Sequence, residues 1–269
     1  MPYAEGRFRG EGILTQIYIK NWHLLISINK NGYLIKEMIT STLKIKHSEE
    51  AKVKTELNEN SLTILNKLVI SYPALKECRS AIEGACKCLS ESFNSGKKLL
   101  VCGNGGSAAD CEHIVGELMK SFRFKRSRDR EFDIKYRALF KCNPPDWLEG
   151  SLPAISLVSH TAFMTAFSND ETSKGAFAQQ VYGYGQENDV LIGISTSGKS
   201  LNVLEAFRVA KTKGLKIISM TGSGTTDLSD LADIAIHAPA QETYEVQEYH
   251  LPIYHCICSV VESEIFGDR

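Results

Sequence analysis

The sequence predicts an α/β fold in which a doubly wound sheet of five parallel strands is flanked by helices, with further helices ahead of the sheet. Short apolar runs alternate with segments of helical periodicity from about residue 98 to residue 265, which is typical of parallel sheets covered on both faces. Turns rich in glycine or serine follow the first and the third apolar run, where such sheets bind ligands. The 269 residues, 43% of them hydrophobic, suffice for one large domain with a full core.

Two helices are predicted before the first strand. The pattern becomes helical from Ser48, and apolar residues recur at helix spacing between Leu62 and Val69. Pro73 is expected to occupy the first turn of the second helix, because proline is favoured at that position. The apolar side of this second helix then continues to Leu89.

The strands of the sheet and the helices that cover it follow in chain order. The predicted strands are 98–102, 153–158, 189–194, 215–220 and 234–237, and the predicted helices are 108–121, 201–213 and 245–265. The charged stretch 123–149 contains Pro144-Pro145, which indicates a surface insertion between a helix and a strand. Pro252 is expected to kink the last helix.

Residues 1–47 differ from the domain predicted for residues 48–269. They show no sustained helical period, and basic residues are scattered among short β-prone pieces such as Ile17–Ile19. We expect a dispensable extension that is either disordered or translated upstream of a true start at Met38. The alternative is an extension that packs against a partner subunit.

Composition and charge exclude several classes of function. The formal net charge of −1 gives no electrostatic basis for binding nucleic acid or a membrane surface. The apolar run Leu24–Ile28 is far shorter than the roughly 20 apolar residues that a membrane helix needs. None of the eight cysteines belongs to a C-x-x-C pair. We therefore expect no thiolate zinc site, and free packing cysteines in a cytoplasmic protein.

The turn Gly103–Ser107 is the first candidate for ligand binding. Its three glycines would let backbone N–H groups approach an anionic or hydroxyl-rich ligand. The turn lacks the spacing of a dinucleotide-binding G-x-G-x-x-G motif, and it lacks the Gly-Lys-Ser/Thr of a P-loop. The alternative is a tight turn that uses glycine only for its backbone conformation.

The turn Ser195–Ser200 is the second candidate, and it carries four hydroxyl groups in six residues. Hydroxyl donors ahead of a helix N-terminus can hold a phosphate group without a metal ion. The alternative is a helix N-cap with spare serines. A cap needs fewer hydroxyl groups than this turn provides, so we favour phosphate.

Four polar side chains on two predicted helices could carry the chemistry. His113 and Glu117 are four residues apart and share a helix face, where they could bind a metal ion or place a base beside a substrate carbon. Taken alone, such a pair is more often a hydrogen bond at the surface. Gln247 and His255 lie in the last helix among five carboxylates, so His255 could instead be a solvated side chain. His250 faces another side of that helix.

Five motifs occur in order and together cover about residues 55–265. They are Gly-Asn-Gly-Gly-Ser at 103–107, His-x-x-x-Glu at 113–117, Asn169-Asp170, Ser-Thr-Ser-Gly-x-Ser at 195–200 and Gln-Glu-x-His-x-x-x-x-His at 247–255. In this order they resemble the sugar isomerase (SIS) domain family. His113, Glu117, Gln247 and His255 together resemble the phosphoheptose isomerase branch of that family.

The resemblance implies a flavodoxin-like sheet. It also implies an isomerase that interconverts sedoheptulose 7-phosphate and D-glycero-D-manno-heptose 7-phosphate through an enediol or enediolate. The implied pathway is nucleotide-activated heptose biosynthesis. The resemblance further implies a homotetramer with sites shared between subunits, and one zinc ion per chain. The implied zinc ligands are His113, Glu117, Gln247 and His255, and the implied acid/base pair is Glu117 and His255. The implied substrate contacts are Asn104, Gly105, Gly106, Glu117, Asn169, Asp170, Ser195, Thr196, Ser197, Ser200 and Gln247.

Three departures from the family pattern leave the exact sugar open. Glu245-Val246 stands where the family usually has Arg-Ile, and Lys199 stands where it often has asparagine. The insertion at about 128–149 is longer than the usual loop. The alternative function is a non-catalytic SIS protein, either a phosphosugar-binding regulator or a replication-initiator-associated protein. Such a protein would keep the glycine and serine turns but need not keep the histidines and the glutamate.

Overall fold

The computed structural model describes residues 14–19, 22–27 and 56–267. Contacts between residues divide the chain into two units, Met1–Lys54 and Thr55–Arg269. Within the described ranges, no helix is both long and apolar enough to cross a membrane.

The first unit contains a pair of antiparallel strands. These are β1 (Leu14–Ile19) and β2 (Trp22–Ser27), which are hydrogen-bonded to each other along their whole length. The short β-prone piece noted in the sequence is part of β1. The predicted domain boundary at 47/48, the helical pattern from Ser48 and the alternative start at Met38 lie outside the described residues.

The second unit is built on one sheet of five parallel strands. The strands are β3 (Leu99–Gly103), β4 (Ala154–Ser156), β5 (Val190–Ile194), β6 (Lys216–Thr221) and β7 (Ile234–His237). They are hydrogen-bonded in the order β4-β3-β5-β6-β7. When the strands of this sheet are numbered from one along the chain, the order is 2-1-3-4-5, which is the flavodoxin-like order. The predicted doubly wound fold is confirmed, and each of the five predicted strands is present.

Helices precede the sheet and connect its strands. They are α1 (Glu59–Ser71), α2 (Arg79–Asn94), α3 (Gly106–Met119), α4 (Arg130–Phe140), α5 (Thr161–Asp170), α6 (Ala176–Tyr184), α7 (Leu201–Thr212), α8 (Asp227–Leu231) and α9 (Thr243–Phe266). As predicted, α1 and α2 come before the first strand of the sheet. The helical period does not predict α4, α5, α6 and α8, which are only 5 to 11 residues long. α9 continues through Pro252, and a kink there stays a prediction.

The predicted start of α2 is wrong, and α3 and α9 each begin two residues before their predicted starts. Pro73 opens a separate 3-10 turn, Pro73–Lys76, and α2 begins only at Arg79. Proline favours the first turn of a helix, but it does not determine whether that turn continues. α3 begins at Gly106 rather than at residue 108, because the chain reverses at Gly105 and can enter the helix immediately.

Helices cover both faces of the sheet. Along β3, Leu99 and Val101 pack into one hydrophobic cluster, whereas Leu100 and Cys102 pack into another. Successive side chains of a strand point to opposite faces, so the two clusters lie on the two sides of the sheet. The first cluster contains buried residues of α1, α2, α3 and α9, and the second contains buried residues of α6 and α7. α3 and α9 therefore lie on the same face, where their polar side chains can meet.

The predicted insertion 123–149 is at the surface for most of its length. It contains α4, in which no residue is buried, and Trp147 is 80% exposed. Arg126 contradicts the prediction, because its side chain is fully buried and forms an ion pair with Glu262 of α9. Charge alone indicates exposure, but a partner from a distant helix can hold a charged side chain inside.

Candidate active site

The two turns predicted to bind ligand start side by side. β3 and β5 are neighbours in the sheet, and Gly103 at the end of β3 is paired with Ile194 at the end of β5. β4 lies on the other side of β3, so the strand order reverses between β3 and β5. Open α/β sheets bind ligands at this reversal, outside the carboxyl ends of the strands.

The glycine turn, Gly103–Ser107, packs against α9. Gly105 precedes α3 with a φ of 56°, a conformation that glycine adopts at little cost. A Cβ atom at Gly106 would overlap the side-chain amide of Gln247. Glycine at this position therefore lets Gln247 lie against the first turn of α3, and three of the predicted site residues meet here.

Asn104 joins the two turns through a residue that the sequence motifs do not single out. Nδ2 of Asn104 donates to Oδ1 of Asn202 at 2.9 Å, and Nδ2 of Asn202 donates to Oδ1 of Asn104 at 2.8 Å. Asn202 lies in the first turn of α7, directly after the serine turn. Its sequence signal is weak, since it is a single amide between Leu201 and Val203.

The serine turn is held by its own hydroxyl groups. The Oγ atoms of Ser195 and Ser200 are hydrogen-bonded at 2.9 Å, and Ser197 Oγ accepts the backbone N–H of Lys199 at 3.3 Å. Ser200 precedes α7, but its side chain makes no capping hydrogen bond. A simple N-cap by Ser200 is therefore not what the structure shows. Asn202 Oδ1 accepts the N–H of Val203 at 3.1 Å, and the N–H groups of Leu201 and Asn202 stay available to an anionic group.

The serine turn is also anchored to the segments that follow β6. The carbonyl oxygen of Thr196 accepts the N–H of Gly222 at 2.9 Å. Gly198 has a φ of 63°, and a Cβ atom there would overlap the side chain of Thr226. These contacts fix the turn from one side, so that its hydroxyl groups keep their position at the sheet edge.

His113 lies between the two predicted acid/base residues. Its Nε2 atom is 3.2 Å from Glu117 Oε1 on α3 and 3.4 Å from His255 Nε2 on α9. The side chain of Glu117 is only 14% exposed, and its second oxygen, Oε2, accepts from Lys120 Nζ at 3.1 Å. The structure thus brings together three of the four predicted zinc ligands around one histidine ring.

Burial and charge set the protonation of His255. Burial, and after it the neighbouring His113 imidazole, lower the pKa of His255, while the Glu117 carboxylate raises it in part. The net direction is downward from an ordinary value near 6.5, so His255 is mostly neutral at pH 7. A neutral imidazole can both donate and accept a proton, which suits proton transfer between substrate oxygens.

The predicted ligands have nitrogen and oxygen atoms that can bind zinc, but these atoms do not surround a single point. Zinc bonds of about 2.0–2.1 Å to nitrogen and oxygen place the ligands of a tetrahedral site about 3.3–3.4 Å apart. The distances of 3.2 Å and 3.4 Å from His113 Nε2 are close to that spacing. The part of the chain that the structure describes contains no group of three or more His, Cys, Asp or Glu side chains already arranged for a metal ion. Gln247, the fourth predicted ligand, lies against Gly106, which precedes His113 by about 10 Å along α3.

Asn169 and Asp170 pair with each other. They end α5 and are exposed, and Asn169 Nδ2 donates to Asp170 Oδ1 at 2.9 Å. Within residues 56–267, no hydrogen bond or ion pair joins them to the other predicted site residues.

His250 is excluded from the site, because it is buried with its Nε2 atom 3.3 Å from the carbonyl oxygen of Thr221. Burial lowers the pKa of His250 to about 4.

Comparison with known proteins identifies the family. Residues 70–141 and 157–255 each match a model of the SIS domain. The phosphoheptose isomerase of Burkholderia pseudomallei (strain K96243) is 35% identical over 210 residues, which cover 78% of this chain and 95% of that protein. The chain belongs to the phosphoheptose isomerase family.

Two further members of the phosphoheptose isomerase family match over most of their length. The Clostridium acetobutylicum phosphoheptose isomerase is 34% identical over 225 residues, covering 84% of this chain and 98% of that protein. A solved phosphoheptose isomerase structure from Francisella tularensis is 27% identical, with a TM-score of 0.57, and covers 84% of this chain and 97% of that chain. The two SIS-domain matches include both turns, α3 and α9 as far as His255.

Proposed function

We propose that this chain interconverts sedoheptulose 7-phosphate and D-glycero-D-manno-heptose 7-phosphate. The observation that carries the proposal is the meeting of Glu117 and His255 at His113, where His113 and Glu117 lie on the helix that begins at the glycine turn. Aldose–ketose isomerisation needs a base beside the carbons and a proton carrier beside the oxygens. A non-catalytic SIS protein would need the two turns but not this pair.

The reaction moves one proton between adjacent carbons and another between their oxygens. Glu117, as a carboxylate, would take the proton from carbon 2 of the aldose and return it to carbon 1, which yields the ketose through an enediol. His255, neutral because burial lowers its pKa, would carry the proton from the oxygen on carbon 2 to the oxygen on carbon 1. In the reverse direction both residues exchange the same protons in the opposite order.

Zinc, when bound, would supply Lewis-acid stabilisation of the negative charge that develops on the sugar oxygens. We propose His113, Glu117, Gln247 and His255 as the residues that hold it. The support is their nitrogen and oxygen donor chemistry and the two separations at His113.

Metal content tests this part of the proposal. Protein purified without chelator is expected to contain about one zinc ion per chain, the stoichiometry of a single four-ligand site. Removal of the zinc with a chelator should lower activity, and added zinc should restore it. Full activity in protein that elemental analysis finds free of metal would show that the site acts by acid/base chemistry alone, without zinc.

The serine turn is proposed to hold the phosphate group. Its hydroxyl groups and the open N-terminus of α7 are donors suited to an anion. A remote phosphate contact binds ground state and transition state alike unless it positions the reacting end. Ser197→Ala is therefore expected to raise KM more than it lowers kcat, with a loss of about 1.5–3 kcal/mol in kcat/KM, as for a hydrogen bond to a charged group.

A sugar without phosphate is the control for this prediction. Sedoheptulose itself should bind weakly to the wild type, and Ser197→Ala should barely change that weak binding. Equal weakening of the phosphorylated and the unphosphorylated sugar would show that the serine turn does not hold the phosphate. The turn Gly103–Ser107 would then be the better candidate.

We also propose a homotetramer whose sites are shared between subunits. Asn169 and Asp170 are exposed at the end of α5, where they are open to contact with a neighbouring subunit. His255 also lines an open groove of about 380 Å³ between α1 and α9, and Ile70 at the end of α1 is 77% exposed. Light scattering would give the number of chains in the assembly.

All eight cysteines are free, as the sequence predicts, which supports the proposed location in the reducing cytoplasm.

Turnover of a series of ketose phosphates tests the proposed substrate. The purified protein should convert sedoheptulose 7-phosphate with a higher kcat/KM than fructose 6-phosphate or ribulose 5-phosphate. A preference for a shorter sugar would show that Glu245 and Lys199 have changed the pocket. Binding of these sugars without conversion of any would favour the regulatory alternative.

A further inference from the structure

The ring of His113 has a second contact, on the side away from Glu117. The Tyr254 hydroxyl lies 3.0 Å from Nδ1 of His113, and the two rings meet edge to face with centroids 5.4 Å apart. Tyr254 is almost completely buried, and it directly precedes His255 on α9. Neither the sequence motifs nor the proposed proton transfers use this residue.

A carboxylate completes the contact. Asp110 lies on α3, one turn before His113, and its Oδ2 atom is buried without a hydrogen-bond partner. An unpaired buried carboxylate oxygen is costly, so a donor close to it is expected. We assign the Tyr254 hydroxyl as that donor, because it contacts His113 only one helical turn further along α3.

The proton of Tyr254 can serve only one acceptor at a time. If the hydroxyl donates to Asp110, its oxygen must accept from His113, and Nδ1 of His113 then carries the imidazole proton. Nε2 of His113 is left with a lone pair that faces Glu117 Oε1 and His255 Nε2. If the hydroxyl instead donates to Nδ1, Oδ2 of Asp110 stays unpaired inside the protein. The first arrangement pairs the buried Oδ2 of Asp110. Glu117 then receives no proton from Nε2 of His113 but keeps its hydrogen bond from Lys120.

We propose that Asp110 and Tyr254 are positioning residues that hold His113 as the Nδ1–H tautomer and turn its Nε2 lone pair toward the reacting side of the site. The role of His113 in the reaction rests on the proposed function. The tautomer of its imidazole can be measured independently of that function. A histidine held in this way through its second nitrogen is oriented and made more basic toward a metal ion. The arrangement places a tyrosine between the carboxylate and the histidine.

Nitrogen NMR of metal-free protein labelled in histidine tests the proposal. At pH 7.5, with His113→Gln used to assign the signal, wild-type His113 should show a protonated Nδ1 and an unprotonated Nε2. Tyr254→Phe should give a mixture of tautomers and about 10- to 100-fold weaker zinc binding. Tyr249→Phe removes a hydroxyl from the same helix and should change neither measurement.

Several outcomes would overturn the proposal. A wild-type His113 that carries its proton on Nε2 would do so, whatever the activity of the enzyme. An unchanged tautomer and unchanged zinc affinity in Tyr254→Phe would remove Tyr254 from the role. If Tyr254→Phe does not fold, Asp110→Asn provides the same comparison, with a smaller expected shift because an amide is a weaker acceptor. The predicted tautomer in a protein without isomerase activity would leave this inference standing and contradict the proposed function alone.

Discussion

Glu117→Gln is expected to lower kcat by about 100-fold or more, the usual scale for a positioned acid/base group. The substitution keeps the size of the side chain and removes the carboxylate that takes the proton from carbon. Because Glu117 is mostly buried beside His113, no solvent-exposed group can readily replace it. Steady-state kinetics with sedoheptulose 7-phosphate would measure the loss.

A matched substitution controls for the change of charge on α3. Glu112 lies on the same helix, is exposed and accepts a hydrogen bond from Ser159 at 2.8 Å. Glu112→Gln should leave kcat within a factor of about two, as expected of a surface change away from the chemistry. Near-normal turnover in folded Glu117→Gln protein would remove Glu117 from the mechanism.

Glu262→Gln is expected to destabilise the fold by about 3–5 kcal/mol, as found when one partner of a buried ion pair is removed. Glu262 accepts from Arg126 Nε at 2.8 Å, and both side chains are fully buried. The carboxylate also accepts the backbone N–H groups of Phe122 and Arg123 at 2.8 Å and 2.9 Å. Glutamine would leave the charge of Arg126 uncompensated inside the protein.

An exposed ion pair provides the comparison. Glu131 and Lys135 are 2.6 Å apart on α4, with both side chains 69% exposed, and Glu131→Gln should cost less than about 0.5 kcal/mol. Urea unfolding of the two variants at one protein concentration would measure both values. Similar small losses in both variants would show that the buried pair adds no more to stability than the exposed one.

The same pair supports the site. Arg126 donates to the carbonyl oxygens of Glu117 and Leu118 at the end of α3, while Glu262 belongs to α9. The ion pair therefore ties together the two helices that carry the candidate acid/base residues. We expect Glu262→Gln to lower kcat also in the fraction that remains folded.

The fold could be predicted because its main signals are local. Buried strands such as β3 and β5 are apolar throughout, and each ends at a turn with a distinctive composition. Pro73 shows the limit of such signals, since the residue type fits the first turn of a helix but does not reveal that the turn ends after four residues. Short helices such as α8 contain too few residues for a helical period to be visible.

The two turns and the His113–Glu117 pair were predictable because each lies within a few residues of sequence. The partners that complete the site lie far away along the chain. Asn202 pairs with Asn104, and Tyr254 meets His113, only because the sheet order and the packing of α9 bring them together. Arg126 has the composition of a surface residue, and its buried partner is visible only in three dimensions.

The proposed isomerisation is tested most directly by turnover in deuterated water. Proton NMR should show sedoheptulose 7-phosphate converting to a seven-carbon aldose phosphate with deuterium at carbon 2, because Glu117 exchanges its proton with solvent during the transfer. Glu117→Gln should slow both the conversion and the deuterium incorporation by about 100-fold or more. Saturable binding of the sugar by the wild type, without product and without deuterium in the recovered substrate, would contradict the proposed function.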